Sequence, residues 1–286
     1  MLITPFDPWK SKLCTCPEKL TFNPYTGCSY RCIYCYVSSY VSDFFVCRPK
    51  KNLISILEKE ASKLEGKLIS IANSSDPYPL QEEALNLTRS CLRVLSEHDC
   101  KLQIITKSNL VTRDIDLLKK IPSTVSMTIT TDDDEMAKLL EPQVPPPSKR
   151  LKALEELAKN GIPVSARIDP IIPRLNDHPN RLIKKLSSLG ALHVTCSTYK
   201  AKFDNWKRFV QTFPQLATSL QSLYFEKGEQ IGRSFYLPRK MRRNIIEKVK
   251  RLVEREGMIF SSCREGFPRL NSATCDGSGL IMRSLP

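Results

Sequence analysis

Two rhythms of apolar residues alternate along the chain. Short apolar or β-branched runs read as strands, and runs with apolar residues three and four apart read as helices. Leu20 to Tyr25 reads as a first strand, closed by the turn Asn23-Pro24-Tyr25-Thr26-Gly27. Asn52 to Glu65 sets Leu53, Ile54, Leu57, Ala61 and Leu64 at helical spacing, and Lys67 to Ala72 follows as a strand. The pair then repeats, with a helix over Gln81 to Glu97, a strand over Leu102 to Thr106, a helix over Leu110 to Lys120 and a strand over Thr124 to Thr130. Asp132, Asp133, Asp134 and Glu135 open the next helix, where the macrodipole favours acidic residues, and Pro142 with Pro145-Pro146-Pro147 breaks it. Lys149 to Asn160 is a helix closed by Gly161, Ile162 to Ile168 a strand, Arg181 to Leu189 a helix closed by Gly190, and Ala191 to Cys196 a sixth strand.

Strand-then-helix units in succession predict an α/β fold with parallel strands and right-handed crossovers. Polar, reactive side chains follow each strand, as the C-terminal rim of a barrel requires. After residue 200 the alternation is expected to stop, leaving two basic helices, Phe203–Leu220 and Arg239–Glu256, and a tail with Cys263-Arg-Glu-Gly266 and Cys275-Asp-Gly-Ser278. The expected organisation is a lead-in over 1–19 with Cys14 and Cys16, a barrel over 20–200, and an extension over 201–286 packed on it.

Composition narrows the class. With 286 residues, 41% hydrophobic and 26% charged, the chain reads as globular. No run of 18 apolar residues suggests a membrane span, and MLITPFDPWK lacks the apolar stretch of a signal peptide. Eleven cysteines without such a peptide point to metal binding or free thiols and to the cytoplasm. A net charge of +14 and a pI near 9.3 are the footprint of a polyanion binder, nucleic acid above all. Walker, Rossmann and nucleophile-elbow motifs are missing, and His98, His178 and His193 form no metal pattern, which argues against hydrolase and dehydrogenase readings.

The densest chemistry is Cys28-Ser-Tyr-Arg-Cys32-Ile-Tyr34-Cys35. Three thiolates on one short loop can take three corners of a 4Fe–4S cube, and soft ligands suit it. A closed electron-transfer site would want a fourth cysteine, so one iron stays open to a chelating amine and carboxylate. Zinc is the alternative, but it usually takes a fourth Cys or His at short range, and none follows before Cys47.

The C-x3-C-x-aromatic-C signature resembles that of the radical SAM superfamily. Together with NPYTGC, SSDPYP, TKS, RDIDLL, TITT, LEP, RIDPIIP and CREG…CDGS, it resembles the spore photoproduct lyase-like, DNA-repair-photolyase-like branch, over about residues 13–280. The resemblance implies a partial (β/α)6 TIM-type barrel. It implies that Cys28, Cys32 and Cys35 ligate a 4Fe–4S cluster that reductively cleaves S-adenosylmethionine (SAM) to a 5′-deoxyadenosyl radical. That radical abstracts hydrogen from a substrate, with ferredoxin or flavodoxin as the kind of electron donor. Tyr34 would lie against the adenine, and Ser75, Asp76, Lys107, Thr130, Arg167 and Asp169 at the strand ends would contact SAM. In spore photoproduct lyase a cysteine before the Thr-Ser-Asp run returns a hydrogen atom; here that residue is Asn73, which has no S–H bond.

Cys14, Cys16, Cys263 and Cys275 are candidates for an auxiliary cluster or zinc site. Cys91, Cys100 and Cys196 are expected in the core. The substrate expected is nucleic acid, as in a DNA-lesion lyase. The rival readings are radical modification of RNA or peptide, and a non-catalytic, zinc-binding nucleic-acid protein.

Overall fold

The computed structural model describes residues 3–6, 12–71 and 73–283; Ala72, the expected end of the second strand, lies outside them. Six parallel strands stand at the expected places: β1 (Leu20–Phe22), β2 (Leu68–Ile71), β3 (Lys101–Thr106), β4 (Ser123–Thr128), β5 (Val164–Ile171) and β6 (His193–Thr198). They pair in chain order, with Leu20 opposite Ile69, Leu102 opposite Ser123, Val125 opposite Val164 and Ser165 opposite His193. The sheet has eight strands, because Thr4–Pro5 adds antiparallel to β1 and β7 (Ile259–Ser262) adds parallel to β6.

That last strand corrects the expectation that alternation ends at residue 200. Its four residues follow a 17-residue helix, so the extension returns to the sheet as one more helix-then-strand unit. Three helix spans are corrected as well. Leu110–Lys120 is α-helical only over Ile115–Leu118, after a 3-10 stretch over Asn109–Asp114. Gln81–Glu97 divides into α2 (Glu82–Leu85) and α3 (Leu87–Leu95) at Asn86, which sits in the left-handed region at φ 51°. Phe203–Leu220 divides into α8 (Phe203–Thr212) and α9 (Pro214–Phe225), because Pro214 lacks the N–H that a continuous helix would use. The helices between are α1 (Leu53–Ala61), α4 (Ile115–Leu118), α5 (Asp134–Leu140), α6 (Pro147–Lys159) and α7 (Asn180–Ser188), with α10 (Arg239–Arg255) before β7. Among the described residues no helix is long and apolar enough to cross a membrane.

Strand alternation separates two environments. Val125 and Met127 of β4, Val164, Ala166 and Ile168 of β5, and Val194 and Cys196 of β6 join the core with Leu92, Leu154 and Leu186 of the helices. Cys91 and Cys100 are buried there too. The opposite face of the strands is polar and encloses the chain's two ends. Gln103 donates to the Asp276 carbonyl, Ser126 donates to the same oxygen, and Thr195 donates to the Cys275 carbonyl. Lys19 forms a buried ion pair with Asp276. A Cβ on Gly277 would stand 2.7 Å from that of Ser165, so only glycine lets the tail pass so close to β5. The tail is thus a plug in the space the sheet wraps round.

A second apolar cluster lies at the strands' C-terminal ends. It joins Cys28, Tyr30, Ile33 and Tyr34 to Tyr199, Phe209, Leu220 and Tyr224, so helices of the extension cover the cysteine loop.

Candidate functional site

The cysteine loop starts where β1 ends. Tyr25–Thr26 pairs antiparallel with Arg48–Pro49, which closes the base of the loop between them. Gly27 turns the chain at φ +78°, and a Cβ there would lie 2.4 Å from the Val46 carbonyl oxygen. The Cys28 N–H donates to Phe44 O at 2.7 Å and the Ile33 N–H to Leu140 O at 3.0 Å. Three successive carbonyls are then held from α8. Arg208 Nε donates to Ile33 O at 3.1 Å, Asn205 Nδ2 to Tyr34 O at 3.1 Å, and an Arg208 terminal nitrogen to Cys35 O at 2.7 Å. Neither residue was singled out in the sequence, since polar residues in a basic helix give no local signal of a partner about 170 positions away.

Cys28 and Cys32 are buried, and Cys35 is half-buried. Burial, with the negative charge of Asp76 second, pushes the Cys28 thiol up to about 12. Burial also raises Cys32 well above the ordinary thiol value and raises Cys35. Among the described residues no three His, Cys, Asp or Glu side chains converge where a single metal ion could sit. A 4Fe–4S cube takes one thiolate at each of three separate corners, so its three ligands need not converge on a single point. Soft donors, burial and a facing cation fit that cluster.

The cation is Lys107, at the end of β3. Its ammonium lies 5.8 Å from the centroid of the Tyr34 ring. Burial works to lower its pKa, but Cys32, Glu141, Asp76 and Cys35 outweigh it and hold the group charged. Tyr34 donates its hydroxyl to Glu141, which also accepts from Thr130 at 3.2 Å and pairs with Arg150 at 2.6 Å. Glu141 is the glutamate of the LEP run, and sequence reading gave it no role. It is the hub under Tyr34.

Asp76 is nearly filled by structural bonds. It accepts from the Tyr78 N–H at 3.0 Å, the Thr106 hydroxyl at 2.7 Å and the Lys107 N–H at 2.7 Å, so it ties the end of β2 to that of β3. Ser75 donates to Tyr25 O at 3.1 Å and keeps its lone pairs. Asn73 is structural, its amide donating to Thr21 Oγ1 at 2.7 Å. Arg167 and Asp169 pair with each other at 2.8 Å on the enclosed face of β5, and Ser197 also donates to Asp169. Although burial opposes it, the Arg167 charge holds the Asp169 carboxyl below its usual value. Lys200, at the end of β6, pairs with buried Glu265 at 3.1 Å. Of the terminal cysteines, all free thiols, Cys16 Sγ lies 3.2 Å from Cys275 Sγ, Cys14 neighbours Cys16, and Cys263 neighbours Arg167. The set of four is brought near but does not converge on one point.

The profile of the Radical SAM superfamily matches residues 22–186, more than half of the chain. An uncharacterized protein of Methanocaldococcus jannaschii is 37% identical over 172 residues, 56% of this chain, and the chain spans only 62% of that protein. A Pseudomonas phage M6 protein described as a radical SAM Nalpha-GlyT isomerase is 22% identical over 265 residues, 87% of this chain and 54% of its own. Among solved structures, a spore photoproduct lyase variant with AdoMet and dinucleoside spore photoproduct bound is similar at a TM-score of 0.63. It is 18% identical, with 88% of this chain and 76% of that one covered, a likeness of fold.

Proposed function

The chain belongs to the radical SAM superfamily, and from that premise we propose that it is an enzyme that abstracts a hydrogen atom from nucleic acid, as a DNA-lesion lyase would. The observation that carries the reading is the set of three thiols on one clamped loop, two of them buried and Cys35 half-buried, beside the Lys107 ammonium and the Tyr34 ring. Cys28, Cys32 and Cys35 would hold the 4Fe–4S cluster, and Tyr34, Ser75, Asp76, Lys107, Thr130, Arg167 and Asp169 would surround SAM. When bound, the cluster and SAM supply a reductively generated radical able to take hydrogen from carbon.

The chain's own residues bind and orient. Lys107 offers a charged ammonium to a carboxylate. Ser75 and Thr130 each donate to a neighbour and so present lone pairs to an amine. Glu141 fixes the Tyr34 hydroxyl, so Tyr34 offers its ring rather than its oxygen. Asn73 cannot return a hydrogen atom, so the reaction need not end as the spore photoproduct lyase reaction does. The nucleic-acid reading draws on the +14 charge and on the dinucleoside ligand of the similar lyase structure. Its working partner would be a small reductant such as ferredoxin or flavodoxin, in the reducing cytoplasm.

The test is anaerobic reconstitution with iron and sulfide, dithionite reduction and SAM addition, with 5′-deoxyadenosine read by chromatography. Deoxyadenosine from the intact chain, none from Cys32→Ala, and stimulation by DNA or RNA are expected. A reconstituted, reduced protein that yields none with nucleic acid present overturns the reading, and bound zinc in place of iron would favour the non-catalytic alternative.

A further inference from the structure

Among the described residues most large aromatic rings are wholly or partly buried, but three at one rim are open. Tyr36 keeps 40% of its surface accessible, Tyr40 52% and Phe203 79%. Pairwise contacts link them to one another and to three cations. Tyr36 and Tyr40 have ring centroids 6.4 Å apart, and the Lys202 ammonium stands 5.8 Å from the Tyr40 centroid. Phe203 follows Lys202 and stacks on Phe225 at 6.5 Å and against Phe235 at 5.7 Å. Phe235 belongs to the hairpin Glu229–Ile231/Ser234–Tyr236, whose turn carries Arg233, and Ala201 bridges to Phe235. Arg264 is within electrostatic reach of both Tyr36 and Lys202.

We propose that Tyr36, Tyr40, Lys202, Phe203, Arg233 and Arg264 form a seat for a single-stranded segment of nucleic acid, with phosphates on the cations and bases against the rings. This rests on the nucleic-acid reading of the substrate.

Four observations support it. Alternating cations and open rings are what binds a single strand without sequence preference, since every base has a stacking face. The cations lie close enough to repel. Burial, then Arg233 and Arg264, lowers the Lys202 pKa, and an anion bridging the three would relieve the repulsion. Asp204, the acid beside Phe203, is turned to Ser38 and Arg208. The seat also leads to the reaction centre. Tyr36 directly follows Cys35 in the cysteine loop, so the seat borders the place where the cluster would sit. Enzymes that act on a base take it out of the stack, so an unpaired or flipped base is the form this seat would deliver.

The experiment measures fluorescence anisotropy of labelled oligothymidylate and oligouridylate of about 12 nucleotides, a length within single-strand site sizes, against the full chain at several KCl concentrations. No SAM or reductant is present, so the result is independent of deoxyadenosine formation. Tyr40→Ala with Phe203→Ala is expected to weaken binding about tenfold or more. Lys202→Ala, Arg233→Ala and Arg264→Ala are each expected to reduce the slope of log K against log salt by about 0.7. Lys152→Ala, on exposed α6 surface, should bind as the parent does, and circular dichroism checks that each variant is folded. Parent-like affinity and slope in the folded rim variants overturn the proposal. So does binding that responds to the cations but not the rings, or an acidic peptide that displaces the oligonucleotide at equal concentration. Intact oligonucleotide binding with no deoxyadenosine would instead sink the enzyme reading and leave the seat standing.

Discussion

Arg150 is the test of how the site is held. Its side chain and that of Glu141 are both fully buried, 2.6 Å apart, and Arg150 also donates to the Thr128 carbonyl at 2.9 Å. Glu141 takes the Tyr34 and Thr130 hydroxyls on its other oxygen. Arg150→Met removes the cation and leaves the carboxylate buried without its partner, a change that costs about 3–5 kcal/mol in such settings. A chain of 286 residues has an unfolding entropy of about 0.6 kcal/mol/K, at about 2.1 cal/mol/K per residue, so its melting temperature should fall by about 5–8 °C. Adding Glu141→Gln removes the stranded charge and keeps an oxygen for Tyr34 and Thr130. The double variant should therefore melt above the Arg150→Met single variant. The assay is anaerobic circular-dichroism melting of parent, singles and double, with iron per chain after reconstitution measured beside it. A fall below about 2 °C for Arg150→Met would be the size of a solvent-exposed pair. That result, or a double variant no better than the single, refutes the account of Glu141 as a charged hub.

Two further outcomes follow from the loop. Asn205→Ala and Arg208→Ala each free backbone carbonyls of the cysteine loop while leaving every cysteine in place. Iron retention during gel filtration should drop in both, and parent-like retention in the pair would mean that the clamp is dispensable. In the metal-free protein the buried thiols stay protonated to higher pH than in the unfolded chain, with Cys28 pushed up to about 12. Above about pH 8.5, the ordinary thiol value, the unfolded chain binds fewer protons than the folded one, so stability should fall as pH rises toward 12. Urea unfolding of apoprotein from pH 8 upward measures it; a Cys28→Ala variant should show a shallower fall, and an identical slope would contradict the assignment.

Sequence periodicity located the six main strands because each is buried on its helix-facing side and pairs with its chain neighbour. It failed where the signal is local and weak. Ile259–Ser262 is too short to stand out after a long basic helix, yet β6 gives it a complete partner from His193 to Cys196. Pro214 breaks the span read as one helix over Phe203–Leu220, because the residue before proline is driven out of helical geometry. Asn86 leaves no such mark, since apolar spacing continues on either side of its single left-handed residue.

The site divides along the same line. What the chain writes locally, the C-x3-C-x-Y-C loop and the polar residues ending each strand, can be read directly. What orders those groups comes from distant segments that meet only after folding. Glu141 and Arg150 set the Tyr34 hydroxyl from just after α5 and from α6, Asn205 and Arg208 hold the loop carbonyls from α8, and Glu265 binds the Thr198 N–H and Lys200 from beyond β7. These are buried charges and amides in segments that read as solvated helix or turn. Their cost of burial is met only by partners far away in the chain, so no window of neighbouring residues could have identified them. The lead-in and tail follow the same logic. Lys19 and Asp276 have no local pattern that marks them as partners, yet each is buried against the other inside the wrap of the sheet. The two ends of the chain therefore complete the interior that the central strands leave open.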